Sequence, residues 1–283
     1  MRVANIIIAH KNPKQLKELL DQFSPEYYHT WLHIDSRSNL NDFKELLNLT
    51  HVTILPRRRV VWAGFSFIRV TVEAMQIIKK ENERFAYFNL MSGLDFPVKP
   101  TTEFHSHLMK AYHSNQSEFF HITELDENWP ANHRYERYHL NDWTIKGRYF
   151  TERIINYFIP KREYFKGKLK PYGRSAWFTA TDNFVDFCLK YFVENPDYLK
   201  FLETVWCPDE LVFSSLIMGS PFKENLANNN LRYIDWSEGR ANPKTLRMED
   251  FEKVINSGNF LARKFDSSVD QEIIDKVIKT ISI

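Results

Sequence analysis

Val3-Ala4-Asn5-Ile6-Ile7-Ile8-Ala9 is a near-continuous apolar run at the start of the chain. A run of that length with no polar alternation reads as a strand buried on both faces, the habit of a parallel sheet. The next residues support this. Asn12 can cap a helix and Pro13 can open it. Leu16, Leu19, Leu20 and Phe23 then recur at helical spacing and define one apolar face. Residues 31–34 read as a second strand ending at Asp35, Asn41 as the cap of a short helix, and residues 52–55 as a third strand. Strand alternating with helix predicts a doubly wound, Rossmann-like parallel sheet in the N-terminal part.

Further along, Ser66 is positioned to cap a helix carrying Phe67, Val70, Ala74, Ile77 and Ile78. Residues 85–91 predict another strand, 105–112 a helix and 119–124 a strand. Residues 125–170 change character: they are polar, aromatic and irregular, and long for a connection, which in a compact domain points to function or disorder. Regular pattern returns with a strand in 175–181 and helices in 182–194 and 208–217. A strand in 231–235 and closing helices in 249–257 and 270–281 complete the chain. No repeat, low-complexity tract or linker interrupts it. The expectation is a single domain over 1–283, with a nucleotide-binding half (1–124) and a mixed half (125–283) for acceptor and catalysis.

The 283 residues are 43% apolar, which excludes a disordered chain, and the net charge of +2 argues against nucleic acid as a partner. No apolar run approaches the ~20 residues that span a bilayer, so no transmembrane segment is expected. Cys188 and Cys207 lack metal-ligand spacing, as in a reduced intracellular protein.

Ligands of open α/β sheets bind beyond the carboxyl ends of the strands, which gathers His10, Asp35 and the Arg57-Arg58-Arg59 cluster at one crevice. Asp35 can bind a ribose or uracil, or simply cap its loop. The arginines can hold an anion, or be a solvated strand end. The segment Ala9-His10-Lys11-Asn12-Pro13 contains no glycine, so a dinucleotide fingerprint is excluded. Asp209 and Glu210 open a helix, where acids are favoured by the helix dipole; alternatively one of them faces the crevice as a general base. Lys264 fits either a surface turn or a fixed cation for a phosphate leaving group. No aspartate is followed by another two residues on, so the Asp-x-Asp that holds a divalent ion on a nucleotide diphosphate is missing.

Seven segments in order go further: His33-Ile34-Asp35-Ser36-Arg37-Ser38, Val61-Trp62-Ala63-Gly64-Phe65-Ser66, Ser92-Gly93-Leu94-Asp95-Phe96-Pro97, Gly173-Arg174-Ser175-Ala176-Trp177-Phe178, Pro208-Asp209-Glu210, Arg232-Tyr233-Ile234-Asp235-Trp236 and Phe260-Leu261-Ala262-Arg263-Lys264-Phe265-Asp266. Together they resemble the core 2/I-branching β-1,6-N-acetylglucosaminyltransferase family, which also includes peptide O-xylosyltransferases. The resemblance implies a GT-A-type fold and inverting transfer of a sugar, N-acetylglucosamine first, from a UDP-sugar to a saccharide hydroxyl. It implies no metal and no other cofactor. It also implies roles: Glu210 as base and Lys264 on the diphosphate with Arg240 as second cation (by a one-residue shift), while the strand-end residues His10, Asp35 and Arg57 are expected on the nucleotide. Trp236 would stack on the acceptor, with Glu124 and Glu238 beside it; Glu238 stands where the family has an aromatic. The Golgi anchor, stem and disulfides of eukaryotic members are not found, so a bacterial, cytoplasmic or inner-face enzyme of surface-glycan synthesis is expected. A xylosyltransferase and a non-catalytic carbohydrate-binding protein are the alternatives.

Overall fold

The structure, a computed structural model, describes residues 1–125, 131–163 and 169–282. The N-terminal elements are β1 (Arg2–Ala9), α1 (Pro13–Asp21), β2 (Tyr28–Ile34), β3 (Val52–Ile54), α2 (Ser66–Ile78), β4 (Phe85–Ser92), β5 (Asp95–Pro97) and α3 (Thr101–Ala111). After them come β6 (Ile122–Glu124), α4 (His133–Glu136), α5 (Arg148–Phe158), β7 (Tyr172–Arg174), β8 (Thr179–Thr181), α6 (Asp182–Glu194) and α7 (Pro196–Leu202). The chain closes with α8 (Val212–Met218), β9 (Arg232–Ile234), α9 (Phe251–Ile255), β10 (Leu261–Arg263) and α10 (Glu272–Ile281).

The main sheet has the order β3-β2-β1-β4-β8. β1 pairs in parallel with β2 and β4, and β2 with β3, while β8 is antiparallel to β4. The α/β reading therefore holds: a Rossmann-like parallel core whose mixed edge comes from the C-terminal half. The run that predicted β1 is buried on both faces for a visible reason. Val3, Ile7 and Ala9 face a core shared with α1, α9 and α10, whereas Ala4, Ile6 and Ile8 face a second core shared with α2, α6 and α8. Beyond the carboxyl end of β4, a smaller sheet of order β5-β10-β9 carries the Arg263-Lys264 segment.

Three local expectations are corrected. Ser66 does not cap α2 but is its first residue. The Asp142 carboxylate accepts from the Ser66 amide at 3.0 Å and from its hydroxyl at 2.6 Å, so the cap comes from 76 residues away. The helix expected over 208–217 is broken: Pro208–Glu210 is a 3-10 turn, and α8 begins at Val212. Of residues 125–170, 126–130 and 164–168 lie outside the described residues, and the rest are less irregular than expected, because α5 lies among them.

Candidate active site

The carboxyl ends of β1, β2 and β4 form one wall of a cleft of about 940 Å³. His10 and Lys11 follow β1, Asp35 and Arg37 follow β2, and Ser92 to Leu94 follow β4. Arg174 to Trp177, Cys207, Asp209, Glu210, Arg263 and Lys264 enter from the C-terminal half. A smaller pocket of about 220 Å³ shares Arg134, Arg174, Trp206, Cys207 and Glu210 with it. Glu210 thus stands between two spaces.

Close backbone approach sets Glu210 in place. A Cβ on Gly173 would come within 3.1 Å of the Glu210 carbonyl oxygen and of Leu125, so a larger residue there would push β7 off the turn. The Glu210 carboxylate accepts a hydrogen bond from Arg134 Nη1 at 2.8 Å. Arg134 in turn lies over the Trp206 ring at 4.4 Å, and Trp206 meets Trp62 edge-on at 5.7 Å. Guanidinium stacking and a charge-assisted bond together orient the carboxylate. The neighbouring Asp209 Oδ1 is enclosed without a partner among the described residues, and burial, then the Glu210 carboxylate, push its pKa up to about 7.

The same cleft is also lined by cations. Lys264 follows β10 and is half-buried, and among the described residues its ammonium has no hydrogen-bond or ion-pair partner. Desolvation, with Lys11 and Arg263 nearby, lowers its pKa, as expected of a cation poised to meet an anionic ligand. Lys11 cannot take that role in its place, because it donates to Asp266 Oδ2 at 2.5 Å. Asn12 Nδ2 bonds the other Asp266 oxygen at 2.7 Å, and Gln15 accepts from the Ser267 amide, so the turn after Lys264 is pinned to α1. The Arg263 guanidinium lies 4.4 Å from the Trp177 ring centre and its Nε 3.4 Å from Asp95 Oδ1.

Several residues singled out from the sequence do meet here: His10, Asp35, Glu210, Trp236, Arg240 and Lys264 all line the cleft. Their states differ. Asp35 is committed: burial acts to raise its pKa, yet bonds from Arg37 Nε and Nη2 and from the Arg37 and Val60 amides hold it well below the usual carboxylate range. Loop capping therefore absorbs most of its acceptor capacity. The His10 pKa is lowered, by desolvation and then by Lys11. Trp236 lines the cleft and is 48% exposed. Arg240 is 76% exposed there, with Nε 3.6 Å from Glu238 Oε2.

Three expected positions, Arg57, Glu124 and Glu238, fall outside the cleft wall. Arg57 donates to the carbonyls of Ile34, Asp35 and Ser38, and Arg58 pairs with Glu73 at 2.5 Å. Arg57 clamps the loop after β2 and Arg58 ties to α2, neither lining the crevice, whereas Arg37, two residues after Asp35, does line it. Glu124 lies on β6, 3.7 Å from Lys170 and absent from both pocket linings. Glu238 touches the site only through Arg240. Sequence reasoning missed Arg134, Trp206, Arg174 and Arg37. Arg134 sits in the stretch read as irregular, and nothing in its spacing tied it to Glu210, 76 residues on.

Comparison with known proteins places these features. Rat (Rattus norvegicus) xylosyltransferase 2 is 24% identical over 301 residues, covering 97% of this chain and 33% of the rat protein. The Caenorhabditis elegans xylosyltransferase sqv-6 is 24% identical over 296 residues, covering 94% of this chain and 34% of its own length. The chain thus spans about a third of the length of these curated relatives. Among solved structures, residues 1–349 of S. aureus TarS, crystallised with UDP-GlcNAc, align with a TM-score of 0.32 and 11% identity over 49% of this chain and 39% of that one, a likeness too slight to carry an argument. The pattern of the Core-2/I-branching enzyme family matches residues 3–255, which include the parallel sheet, Glu210 and Trp236. The chain belongs to the Core-2/I-branching enzyme family.

Proposed function

We propose that this protein is an inverting glycosyltransferase that moves a sugar from a UDP-sugar to a hydroxyl of a saccharide acceptor without a metal ion. The observation that carries the reading is one cleft that holds both an oriented carboxylate, Glu210, at the junction with a second pocket, and a cation, Lys264, that has no partner among the described residues. Glu210 takes the proton of the acceptor hydroxyl as its oxygen attacks the anomeric carbon. The bond to the UDP oxygen breaks on the opposite face, and configuration inverts. Negative charge then grows on the leaving diphosphate, where Lys264 and Arg263 meet it. Fixed cations in a desolvated wall need little reorganisation, which is how protein charge serves where Asp-x-Asp would have brought a metal. Arg263 has a better claim than Arg240 as the second cation, since it is packed against Trp177 while Arg240 is exposed. Trp236 offers its ring to the acceptor sugar.

N-acetylglucosamine is the donor sugar of this reading. Xylose is the second reading, favoured by the relatives' names. The deciding experiment measures transfer from UDP-N-acetylglucosamine and UDP-xylose to a glycan panel with excess EDTA. Sustained turnover is expected. Loss on chelation with rescue by Mn²⁺ overturns the metal-free mechanism. Glycan binding with no affinity for UDP turns the assignment to a carbohydrate-binding protein.

A further inference from the structure

α5 is built inside out. Its sequence, Arg148-Tyr149-Phe150-Thr151-Glu152-Arg153-Ile154-Ile155-Asn156-Tyr157-Phe158, places Tyr149, Phe150, Arg153, Ile154, Tyr157 and Phe158 on one face at helical spacing. A helix packed on a soluble core turns such a face inward. Here the polar face is inward. Glu152 accepts from the Leu140 amide at 3.0 Å, and the Asn156 side chain bonds both the amide and the carbonyl of Tyr138. Arg137 donates to the Asn156 carbonyl at 2.9 Å. Tyr149, Phe150, Tyr157 and Phe158 are left 69–81% exposed, and Trp143 and Ile145, just upstream in the chain, are exposed as well. Contiguous exposed apolar surface of this kind marks a binding face.

The charges around it select the partner. Glu152 is the one acid between residues 143 and 161, and it faces inward. Asp142, just upstream, is consumed by Ser66. What faces solvent is aromatic and basic, with Lys146 upstream and Arg153 within the apolar face, while Lys161 beyond the helix end is paired with Glu136 at 2.6 Å. A second copy of the chain suits this face poorly, because two-fold packing of α5 on itself would bring the central Arg153 side chains together. Tyrosine, tryptophan and phenylalanine rings between lysines and arginines suit a lipid headgroup boundary, where ring bodies bury and cations meet anionic phosphates. An 11-residue helix is too short to cross a bilayer, so it would lie in the plane of the surface.

We infer that the outward face of α5 seats this protein on an anionic lipid surface. The segment leading into the seat is bonded to the cleft wall. Asn141 Nδ2 bonds the Ala63 carbonyl at 2.8 Å, and Asp142 holds the start of α2, so the segment entering α5 also fixes the Val60 to Ala63 wall. Catalysis on a soluble acceptor does not depend on this contact, so the seat and the proposed transfer can fail separately.

The test is co-sedimentation with vesicles of phosphatidylcholine alone and of phosphatidylcholine with phosphatidylglycerol. The wild-type chain should bind the anionic vesicles, and added salt should weaken binding. Tyr157→Ser/Phe158→Ser should lower the partition coefficient at least about tenfold, from lost apolar burial. Arg153→Glu should lower it as well. Because these side chains are exposed, melting temperatures should match wild type; if the double variant misfolds, Arg153→Glu decides alone. Failure of the wild-type chain to bind anionic vesicles overturns the inference, as does unchanged binding by the folded variants. A wild-type dimer in solution that the double variant dissociates would assign the face to self-association and overturn it too.

Discussion

Arg57-Arg58 and Arg263-Lys264 are both adjacent cations near the carboxyl end of a strand, and the molecule uses them in opposite ways. Arg57 spends its donors on three backbone carbonyls and Arg58 on Glu73, so the first pair holds the loop after β2 in shape. In the second pair, Arg263 packs on Trp177 with Asp95 3.4 Å from its Nε, and Lys264, at the cleft, has no hydrogen-bond or ion-pair partner among the described residues. The same contrast separates the two halves of the chain. The N-terminal strands build a floor whose charged groups are mostly bonded to one another. The C-terminal segments bring groups held in place by packing and left open towards the cleft. A dense run of arginines is thus a poor sign of a site; a cation whose neighbours leave it no partner is a better one.

The hardest attempt to break this division removes Glu210. Glu210→Gln keeps the size of the side chain and can still contact Arg134, but it cannot take the acceptor proton. Loss of a general base typically slows a reaction ~10²–10⁴-fold. Transfer should therefore fall at least ~100-fold, while UDP affinity and melting temperature stay near wild type. A Glu210→Gln enzyme with full kcat would leave the C-terminal half without its base.

The second comparison sets the two cation pairs against each other. Lys264→Ala should weaken UDP binding roughly tenfold, the scale of one hydrogen bond to a charged group, and leave UMP binding and melting temperature alone. Arg57→Ala should do the reverse: lower stability by about 2 kcal/mol as buried carbonyls lose their donor, with UDP affinity nearly unchanged. Arg240→Ala should sit below both, since an exposed ion pair contributes at most ~1 kcal/mol. Titration calorimetry with UDP and UMP, alongside thermal melts, separates these outcomes. Equal loss of UDP and UMP affinity in Lys264→Ala would make that residue structural.

How much of this the sequence allowed differs by element. β1, β2 and β4 were legible because core covers both of their faces, and α1 because its one apolar face meets core, so apolar pattern and structure coincide. α6 was legible to the residue, with Thr181 as its cap accepting from the Phe184 amide. α5 was not, because its apolar face points away from the core and its buried face is Glu152 and Asn156. The break after Glu210 was also hidden, since Leu211, Val212 and Leu216 continue a helical pattern across it. In the site, Glu210, Lys264 and Trp236 came from ordered motifs. Arg134 and Arg37 did not, since their value lies in contacts with residues that no local spacing links to them.

The smallest expected effect on turnover belongs to Asp209, and pH reveals it. Glu210 is bonded to Arg134, whereas Asp209 has an enclosed oxygen with no partner among the described residues, and burial and the Glu210 charge raise its pKa to about 7. In the unfolded chain an aspartate titrates near ~3.9. Between those values the folded protein holds a proton that the unfolded chain has released. Stability from this group is therefore full below about pH 4 and is lost as pH rises through about 7. Asparagine has the shape of the protonated acid and no charge to desolvate. Asp209→Asn should accordingly melt with wild type in acid and above it, by a few degrees, at pH 8, and transfer sugar at a rate within a few-fold of wild type. Melting curves from pH 4 to 9 test this. Parallel pH profiles for the two proteins would show that Asp209 is already ionised in the fold. The carboxylates at 209 and 210 would then both be charged, and the assignment of a single base to Glu210 would have to be argued again from kinetics.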